Sequence, residues 1–119
     1  MRFGLTLPHY GFSLPGRPAS HAATAGWAAR AEDLGFDSVW VSDHFVFSLG
    51  RYGGDPGPVD ALEPLTALAG IAATTSRVRL GTLVLGAPFR PAALTAHIAT
   101  TIAALSGGRF DLEIGRAHV

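Results

Sequence analysis

Strand-like and helix-like segments alternate along the whole of this sequence, and this alternation constrains the fold most. Short runs rich in β-branched and other apolar residues begin about every 30 to 40 residues, roughly the length of one βα unit. The predicted strands are residues 3–7, 38–42, 78–85 and 109–114. Near-continuous apolar runs are typical of strands buried on both faces, so the sequence predicts an α/β fold with a parallel sheet.

Three predicted helices fill the gaps between these strands. Ser20 is the predicted N-cap of the first helix, and Gly35 follows its last periodic residue. Pro64 and Pro91 open the second and third helices, and a glycine pair at 107–108 closes the third. Two architectures fit this order: an open doubly wound sheet, and a (β/α)8 TIM barrel represented only in part. No Gly-x-Gly-x-x-Gly follows the first strand, so a dinucleotide-binding turn is not supported.

Composition narrows the classes of partner. The formal net charge is zero and the nine basic residues are scattered arginines, so we expect a small-molecule substrate rather than nucleic acid or a membrane. Cysteine is absent, which excludes thiolate chemistry and Cys-ligated zinc in this segment. His21 and His97 have no partners at ligand spacing, so no metal site is predicted. Without a signal-like or membrane-spanning segment, we expect a cytoplasmic protein.

The candidate site lies where the first two strands end. Asp43 and His44 directly follow the second strand and precede a long Gly- and Pro-rich loop at 45–62, while His9 and Tyr10 follow the first strand. In a parallel barrel these strand ends form the active-site rim. His44 is therefore a candidate acid–base or hydrogen-bonding group with Asp43 orienting its surroundings, and His9 and Tyr10 are candidate pocket residues.

Each of these assignments has a structural alternative. Asp43 could cap a turn with His44 as a solvated loop residue, and His9 and Tyr10 could be ordinary turn residues. Gly81, inside the third strand, indicates either close approach of a ligand to the backbone or room for a bulky neighbour. Elsewhere, Trp27 is predicted to be a core residue between helix and sheet. Pattern alone does not choose among these readings.

Four motifs in this order and spacing resemble the luciferase-like monooxygenase superfamily, with most similarity to its deazaflavin (coenzyme F420)-dependent oxidoreductases. They lie at residues 1–5 with 7–11 (MRFGL, LPHYG), 31–44 (AEDLGFDSVWVSDH), 78–85 (VRLGTLVL) and 105–110 (LSGGRF). The resemblance implies a (β/α)8 TIM barrel, with only the first four strands and three helices present. A complete barrel needs about 250 residues, so we expect the fragment alone to be inactive.

The resemblance also implies a cofactor site. It implies a deazaflavin or flavin ring across the rim, backed by a bulge with a non-prolyl cis peptide at Thr82, Leu83 and Val84. It places Asp43 and His44 in cofactor contact or proton transfer. The expected activity is hydride transfer between reduced F420 and a small organic substrate. The alternatives are an FMN-dependent monooxygenase and a non-catalytic flavin-binding barrel. Family barrels commonly pair through outer helices, so a homodimer is expected for the full-length protein.

The last residues depart from the family. After GGRFDL the family usually continues with a glycine-rich segment, whereas this sequence continues EIGRAHV. One codon reading of that heptapeptide, GAG ATC GGA AGA GCA CAC GTC, contains from its second base the start of a common sequencing-library adapter. The hypothesis is half of a barrel domain at residues 1–112 followed by a non-native tail at 113–119. A genuine, unusual C-terminus is the alternative.

Overall fold

The computed structural model describes residues 1–45 and 47–115, and its main sheet is entirely parallel. The strands are β1 (Gly4–Thr6), β2 (Ser38–Val41), β3 (Phe47–Ser48), β4 (Pro58–Val59), β5 (Arg79–Thr82), β6 (Leu85–Gly86), β7 (Phe110–Asp111) and β8 (Ile114–Gly115). The α-helices are α1 (His21–Asp33), α2 (Pro64–Thr74) and α3 (Ala92–Leu105). Short 3-10 helices span Leu49–Tyr52 and Ala87–Phe89.

The strand order distinguishes the two architectures that the sequence left open. The main sheet has the order β1-β2-β5-β7, which follows the chain without reversal, and a helix crosses between each neighbouring pair. A doubly wound sheet reverses its order at a switch point, whereas a barrel adds each strand beside the last. Right-handed crossovers in one direction leave all three helices on one face of the sheet. The predicted partial (β/α)8 barrel, with four parallel strands and three helices, is confirmed.

The face of the sheet that the helices cover holds the hydrophobic core. Val39 and Val41 of β2 and Leu80 of β5 are fully buried against small and aliphatic residues of α1 and α2. The helix residues in this cluster are Ala28, Ala31, Leu68, Ile71 and Ala72. Burying each Val or Leu side chain contributes about 1.5 to 3 kcal/mol, so this layer stabilises the sheet–helix contact.

Trp27 does not belong to this core, so the prediction for it is wrong. Its side chain is 46% exposed, while Thr24, Ala28 and Ala31 are the buried residues of α1. These three residues lie at i, i+4 and i+7 and form the helix face that contacts the sheet. Small side chains there let α1 approach the strands closely, and Trp27 is left beside the outer edge of β1, near Leu5 and Leu7.

The opposite face of the sheet, which faces the barrel interior, is organised around Trp40. A Cβ atom on Gly81 would lie 2.2 Å from the Trp40 ring, and one on Gly4 would lie 2.6 Å from its indole nitrogen. These glycines sit on β5 and β1, the two strands that flank β2. The Trp40 N–H donates a hydrogen bond to Ser38 Oγ at 2.8 Å. Gly81 is therefore explained by room for a bulky neighbour, the second of its two interpretations.

The helix termini follow the sequence signals. The Ser20 hydroxyl caps α1 by accepting from the amide of Ala23, and Gly35 beyond its end has φ +83°, a conformation that favours glycine. Pro64 begins α2, and Pro91 is the N-cap of α3. Within residues 1–45 and 47–115, no helix is both long enough and apolar enough to cross a membrane.

Two predicted strands are shorter than expected, and the long loop is partly ordered. The predicted strand at 78–85 is split into β5 and β6, and the predicted strand at 109–114 ends in β7 before β8 begins. β6 and β8 pair with each other in a separate parallel two-stranded sheet. The predicted loop at 45–62 contains the antiparallel pair β3–β4 around a 3-10 helix. Such short pairings carry little periodicity, so the sequence pattern does not reveal them.

Arg109, in the LSGGRF motif, holds together the end of the sheet opposite the candidate site. Its guanidinium donates to the carbonyl oxygens of Ser106, Val78, Ala72 and Thr75, at 2.7 to 3.0 Å, and to Thr75 Oγ1 at 3.0 Å. All five guanidinium N–H groups can be used in this way. One side chain thus satisfies carbonyls at the ends of α2 and α3 and just before β5.

Replacing Arg109 should destabilise the fold. We expect Arg109→Met to lower the free energy of unfolding by about 3 kcal/mol, because several half-buried carbonyl groups lose their donors. Chemical denaturation of the protein expressed from its complete reading frame measures this loss. The matched control is Arg30→Met on the exposed surface of α1, for which a change within about 0.5 kcal/mol is expected. Equal effects for the two variants would contradict the role assigned to Arg109.

Candidate active site

The predicted site residues lie together at one edge of the sheet, the edge formed by the C-terminal ends of three neighbouring strands. Thr6 pairs in register with Trp40, and Val41 pairs with Thr82. Parallel hydrogen bonding continues past these strands, because the amide of Leu7 donates to Trp40 and the amide of Leu83 donates to Val41. The last residue of β5 and the segments that follow the three strands carry all the residues predicted for the site, namely His9, Tyr10, Asp43, His44, Thr82, Leu83 and Val84.

His9 is buried at this edge and hydrogen-bonded on both ring nitrogens. Its Nδ1 lies 2.9 Å from the carbonyl oxygen of Leu7, and its Nε2 lies 3.0 Å from the carbonyl oxygen of Ser42. The Ser42 hydroxyl also lies 3.4 Å from Nε2 and 2.6 Å from the Tyr10 hydroxyl. The interpretation of His9 as an ordinary turn residue does not fit this burial, with 1% of the residue exposed.

Burial perturbs both titratable groups of this cluster. Desolvation lowers the pKa of His9 below its usual value, opposed by the hydrogen bonds to Leu7 and Ser42 and reinforced by nearby His44. Desolvation raises the pKa of Tyr10 above its usual value, and Asp43 raises it further against the effect of the Ser42 hydrogen bond. Near neutral pH, His9 is therefore neutral and Tyr10 is a phenol.

Aromatic rings from three segments form a wall at the same edge, which we call the aromatic wall: Tyr10, Phe12, His44 and Phe47. The Tyr10 and Phe12 rings stack with centroids 5.2 Å apart, and the His44 ring meets Phe47 edge-on at 5.2 Å. Tyr10 and His44 lie 6.1 Å apart. Contacts of this kind orient rings and provide an apolar surface beside the half-buried imidazole of His44.

Asp43 is buried and its carboxylate is fully engaged. Arg90 donates to both of its oxygens, at 2.5 and 3.1 Å, and the amide of Gly86 donates at 2.9 Å. Arg90 also contacts Glu63, whose carboxylate caps α2 by accepting from the amide of Thr66. In this arrangement Asp43 orients the chain around His44. The cofactor contact and catalytic part predicted for Asp43 stay predictions.

The contacts that join Glu63 and Arg90 shift the pKa of each residue. Burial acts to raise the pKa of Glu63, but hydrogen bonds from Thr66 and Arg90 outweigh it and hold that pKa below its usual value. The hydrogen bond to Asp43 is the main cause that raises the pKa of Arg90. The guanidinium also lies over the Phe45 ring, 5.0 Å from its centroid. Arg90 therefore stays charged and connects two strand ends with the start of α2.

The segment after β5 has the backbone feature that the resemblance implied. The peptide bond between Leu83 and Val84 is cis, so the predicted position of this bond is confirmed. The Leu83 side chain is 45% exposed, whereas Thr82 is buried and exchanges two hydrogen bonds with the backbone of Glu113. The interpretation of 113–119 as a non-native tail stays a prediction, and its residues 116–119 lie outside the described part of the chain.

Two residues of the site were missed by sequence reasoning. Ser42 was treated only as the end of a strand, yet its hydroxyl joins His9 to Tyr10. Arg90 was not singled out, yet it neutralises the buried carboxylate of Asp43. The one signal for Arg90 was indirect, because an aspartate at a buried strand end requires a partner that the sequence must supply elsewhere. Within residues 1–45 and 47–115, no group of His, Asp and Glu could hold a metal ion.

The Asp43–Arg90 pair should be essential for the stability of this edge. We expect Arg90→Met to lower the free energy of unfolding by about 3 kcal/mol or more, because it leaves a buried carboxylate without its counter-charge. Glu63→Gln is the control, since Glu63 is partly exposed and its loss should cost only about 1 kcal/mol. Both values come from chemical denaturation of the complete protein. A smaller loss for Arg90→Met than for Glu63→Gln would refute this assignment.

Comparisons with known proteins show the family and the fold of this chain. The family model of luciferase-like monooxygenases matches residues 1–118. An F420-dependent glucose-6-phosphate dehydrogenase from Amycolatopsis mediterranei is 41% identical over 90 residues, which are 75% of this chain and 25% of that protein. The crystal structure of the monooxygenase RslO1 from Streptomyces bottropensis superposes with a TM-score of 0.71 at 31% identity, covering 100% of this chain and 34% of that one.

A third comparison concerns the fold alone. The oxygenating constituent of 3,6-diketocamphane monooxygenase from Pseudomonas putida, a structure in complex with FMN, superposes with a TM-score of 0.72 at 24% identity. It covers 100% of this chain and 30% of that chain. The chain spans about a quarter of the length of the curated relatives it matches. On the match to its family model and on its relatives, this chain belongs to the luciferase-like monooxygenase family.

Proposed function

We propose that this chain supplies the cofactor- and substrate-facing edge of an oxidoreductase that transfers hydride between reduced coenzyme F420 and a small organic substrate. One observation carries the proposal: His44 and the Leu83–Val84 segment follow neighbouring parallel strands and reach the same edge of the sheet. Ligands of α/β barrels bind at this edge. The 41% identity to an F420-dependent dehydrogenase supports the deazaflavin as the cofactor.

The residues at this edge fit a flat, largely apolar ring system. Leu83 presents an exposed aliphatic side chain directly after β5, and the aromatic wall presents stacked rings beside His44. Leu83 and Val84 would hold the ring from one side, and His44 would contact it or the substrate. When bound, the deazaflavin supplies the hydride chemistry, and the chain supplies position and electrostatics.

His44 is the residue that we assign to chemistry on the substrate. Its imidazole is half-buried, so it is both reachable from the pocket and held by its neighbours. A histidine in this setting can hydrogen-bond to a substrate oxygen near neutral pH and so assist the gain or loss of its proton. Asp43, held by Arg90, fixes the backbone from which His44 projects. Asp43 is thus a positioning residue in this proposal.

An FMN-dependent monooxygenase is the second candidate. The 31% identity to the monooxygenase RslO1, over 100% of this chain, supports a monooxygenase activity. Trp40, on the inward face of β2, and Trp27, beside β1, are the intrinsic fluorophores that report which cofactor binds. In titrations of the complete protein, F420 should quench tryptophan fluorescence at lower concentration than FMN. Tighter binding of FMN would replace the first candidate with the second.

Replacing His44 should separate catalysis from binding. We expect His44→Ala to lower kcat with reduced F420 by at least about 100-fold while F420 binding is retained, because the hydrogen bond that positions the substrate oxygen and assists its proton transfer is lost. The control is His97→Ala on the exposed surface of α3, which should leave kcat unchanged. Turnover that persists in His44→Ala would contradict the role of His44. Binding without any turnover in the wild type would instead indicate a non-catalytic flavin-binding barrel.

A further inference from the structure

Tyr10, Ser42 and His9 form a continuous chain of side-chain contacts that the proposed function does not use. The Tyr10 and Ser42 hydroxyl oxygens are 2.6 Å apart, and Ser42 Oγ lies 3.4 Å from His9 Nε2. His9 is buried, while Tyr10 is half-buried and belongs to the aromatic wall. These contacts therefore lead from the aromatic wall to a buried titratable group.

The tautomer of neutral His9 sets the direction in which the hydrogen bonds of this cluster donate. The carbonyl oxygens of Leu7 and Ser42 can only accept, and each faces one ring nitrogen, at 2.9 Å from Nδ1 and 3.0 Å from Nε2. Two tautomers of neutral His9 are therefore open, and the direction described next belongs to the one with its proton on Nδ1. Nε2 then carries a lone pair and can accept from the Ser42 hydroxyl. Ser42 Oγ in turn accepts from the Tyr10 hydroxyl. Every donor in this arrangement points from the pocket toward His9.

The protonated state of His9 is also hydrogen-bonded. An imidazolium has two N–H donors, and its Nε2 lies 3.0 Å from the carbonyl oxygen of Ser42. The Nδ1 donor keeps its bond to the Leu7 carbonyl. The charged ring thus has an acceptor at each nitrogen, while the neutral Nδ1–H ring has the Ser42 hydroxyl as a donor within 3.4 Å of Nε2.

We infer that Tyr10, Ser42 and His9 form a proton relay that carries one proton between an oxygen atom in the pocket and buried His9. This inference rests on the proposed function, because loss of hydride from an alcohol carbon leaves a proton on the hydroxyl oxygen. That proton passes to Tyr10, the Tyr10 proton to Ser42, and the Ser42 proton to Nε2. Each hydroxyl oxygen gains one proton and loses one, His9 gains one, and no electron moves. The substrate is accordingly an alcohol, or a carbonyl compound in the reverse direction.

Charged and titratable neighbours set the direction of the pH dependence. His44 lies on one side of this cluster, and Asp43, neutralised by Arg90, lies beside Tyr10. Since burial holds the pKa of His9 below its usual value, His9 is neutral and can accept a proton at neutral pH. As pH falls through that lowered pKa, His9 becomes charged and the relay toward it closes. Alcohol oxidation should therefore decline on the acid side, below about pH 6.5.

The first test measures the protonation of His9 by NMR and requires no catalytic turnover. In the complete protein with isotope-labelled histidine, NMR should place the ring proton of His9 on Nδ1 at neutral pH. We expect Ser42→Ala to raise the pKa of His9, because the neutral ring loses its donor while both carbonyl partners of the charged ring remain. Ser42→Thr keeps the hydroxyl and should restore the wild-type titration. A titration of His9 that is identical in wild type and Ser42→Ala would overturn the relay.

The second test measures kcat for variants of the relay residues. Ser42→Ala and Tyr10→Phe should each lower kcat for alcohol oxidation by about 100-fold with little change in KM, and the double variant should lose no more than either single variant. Ser42→Thr should retain kcat, and His9→Gln should lose the acid-side decline. The control is Ser76→Ala, whose hydroxyl contacts Glu32 at the far end of the sheet and should not affect kcat.

The two tests separate the relay from the proposed function. Losses that multiply in the double variant, or single variants within about twofold of wild-type kcat, would overturn the relay even in an active enzyme. If the complete protein transfers hydride between F420 and other small organic substrates but turns over no alcohol or carbonyl compound, the substrate assignment of the relay fails. If it transfers no hydride with F420 at all, the proposed function fails. The His9 titration in Ser42→Ala then decides by itself whether the proton connection exists.

Discussion

A buried ion pair between Asp43 and Arg90 determines the geometry of the functional edge. Asp43 is buried, with 1% of the residue exposed, so its carboxylate requires a counter-charge and hydrogen-bond donors for both oxygens. Arg90 and the amide of Gly86 provide them, and Arg90 reaches on to Glu63 at the start of α2. One pair thus fixes the end of β2, the segment after β6 and the α2 N-terminus relative to one another. His44 directly follows Asp43 in the sequence, so the ion pair also fixes the backbone position of His44.

The two faces of the sheet have different functions because the strand order does not reverse. Helices cover one face and form the core around Val39, Val41 and Leu80. The other face carries Trp40, accommodated by the absence of a side chain at Gly81. The two ends of the sheet differ as well. The Arg109 guanidinium donates to backbone carbonyls at one end and stabilises it, whereas hydroxyl and imidazole groups gather at the other end, where the candidate site lies.

Sequence reasoning predicted the strand ends that carry the site but not the contacts within it. Periodicity and strand spacing placed His9, Tyr10, Asp43 and His44 on one rim, because parallel strands end on the same side. Periodicity contains no information about partners distant in the chain. The Ser42 bridge between His9 and Tyr10 spans more than thirty residues, and the Arg90 partner of Asp43 lies 47 residues away. Trp27 was misplaced for a related reason, since a helical repeat does not say which of two adjacent faces meets the sheet.

The sequence by itself determined the order of strands and helices, the helix caps at Ser20 and Gly35, and the edge of the sheet that carries the candidate site. These features depend on neighbours a few residues apart, where local conformational preference and hydrophobic period decide the outcome. Only the tertiary structure decided that the sheet winds in one direction, that the Asp43 carboxylate is occupied by Arg90, and that His9 has hydrogen-bonding partners for two protonation states. Those features depend on burial and on hydrogen bonds between distant segments, and such interactions exist only after the strands have paired.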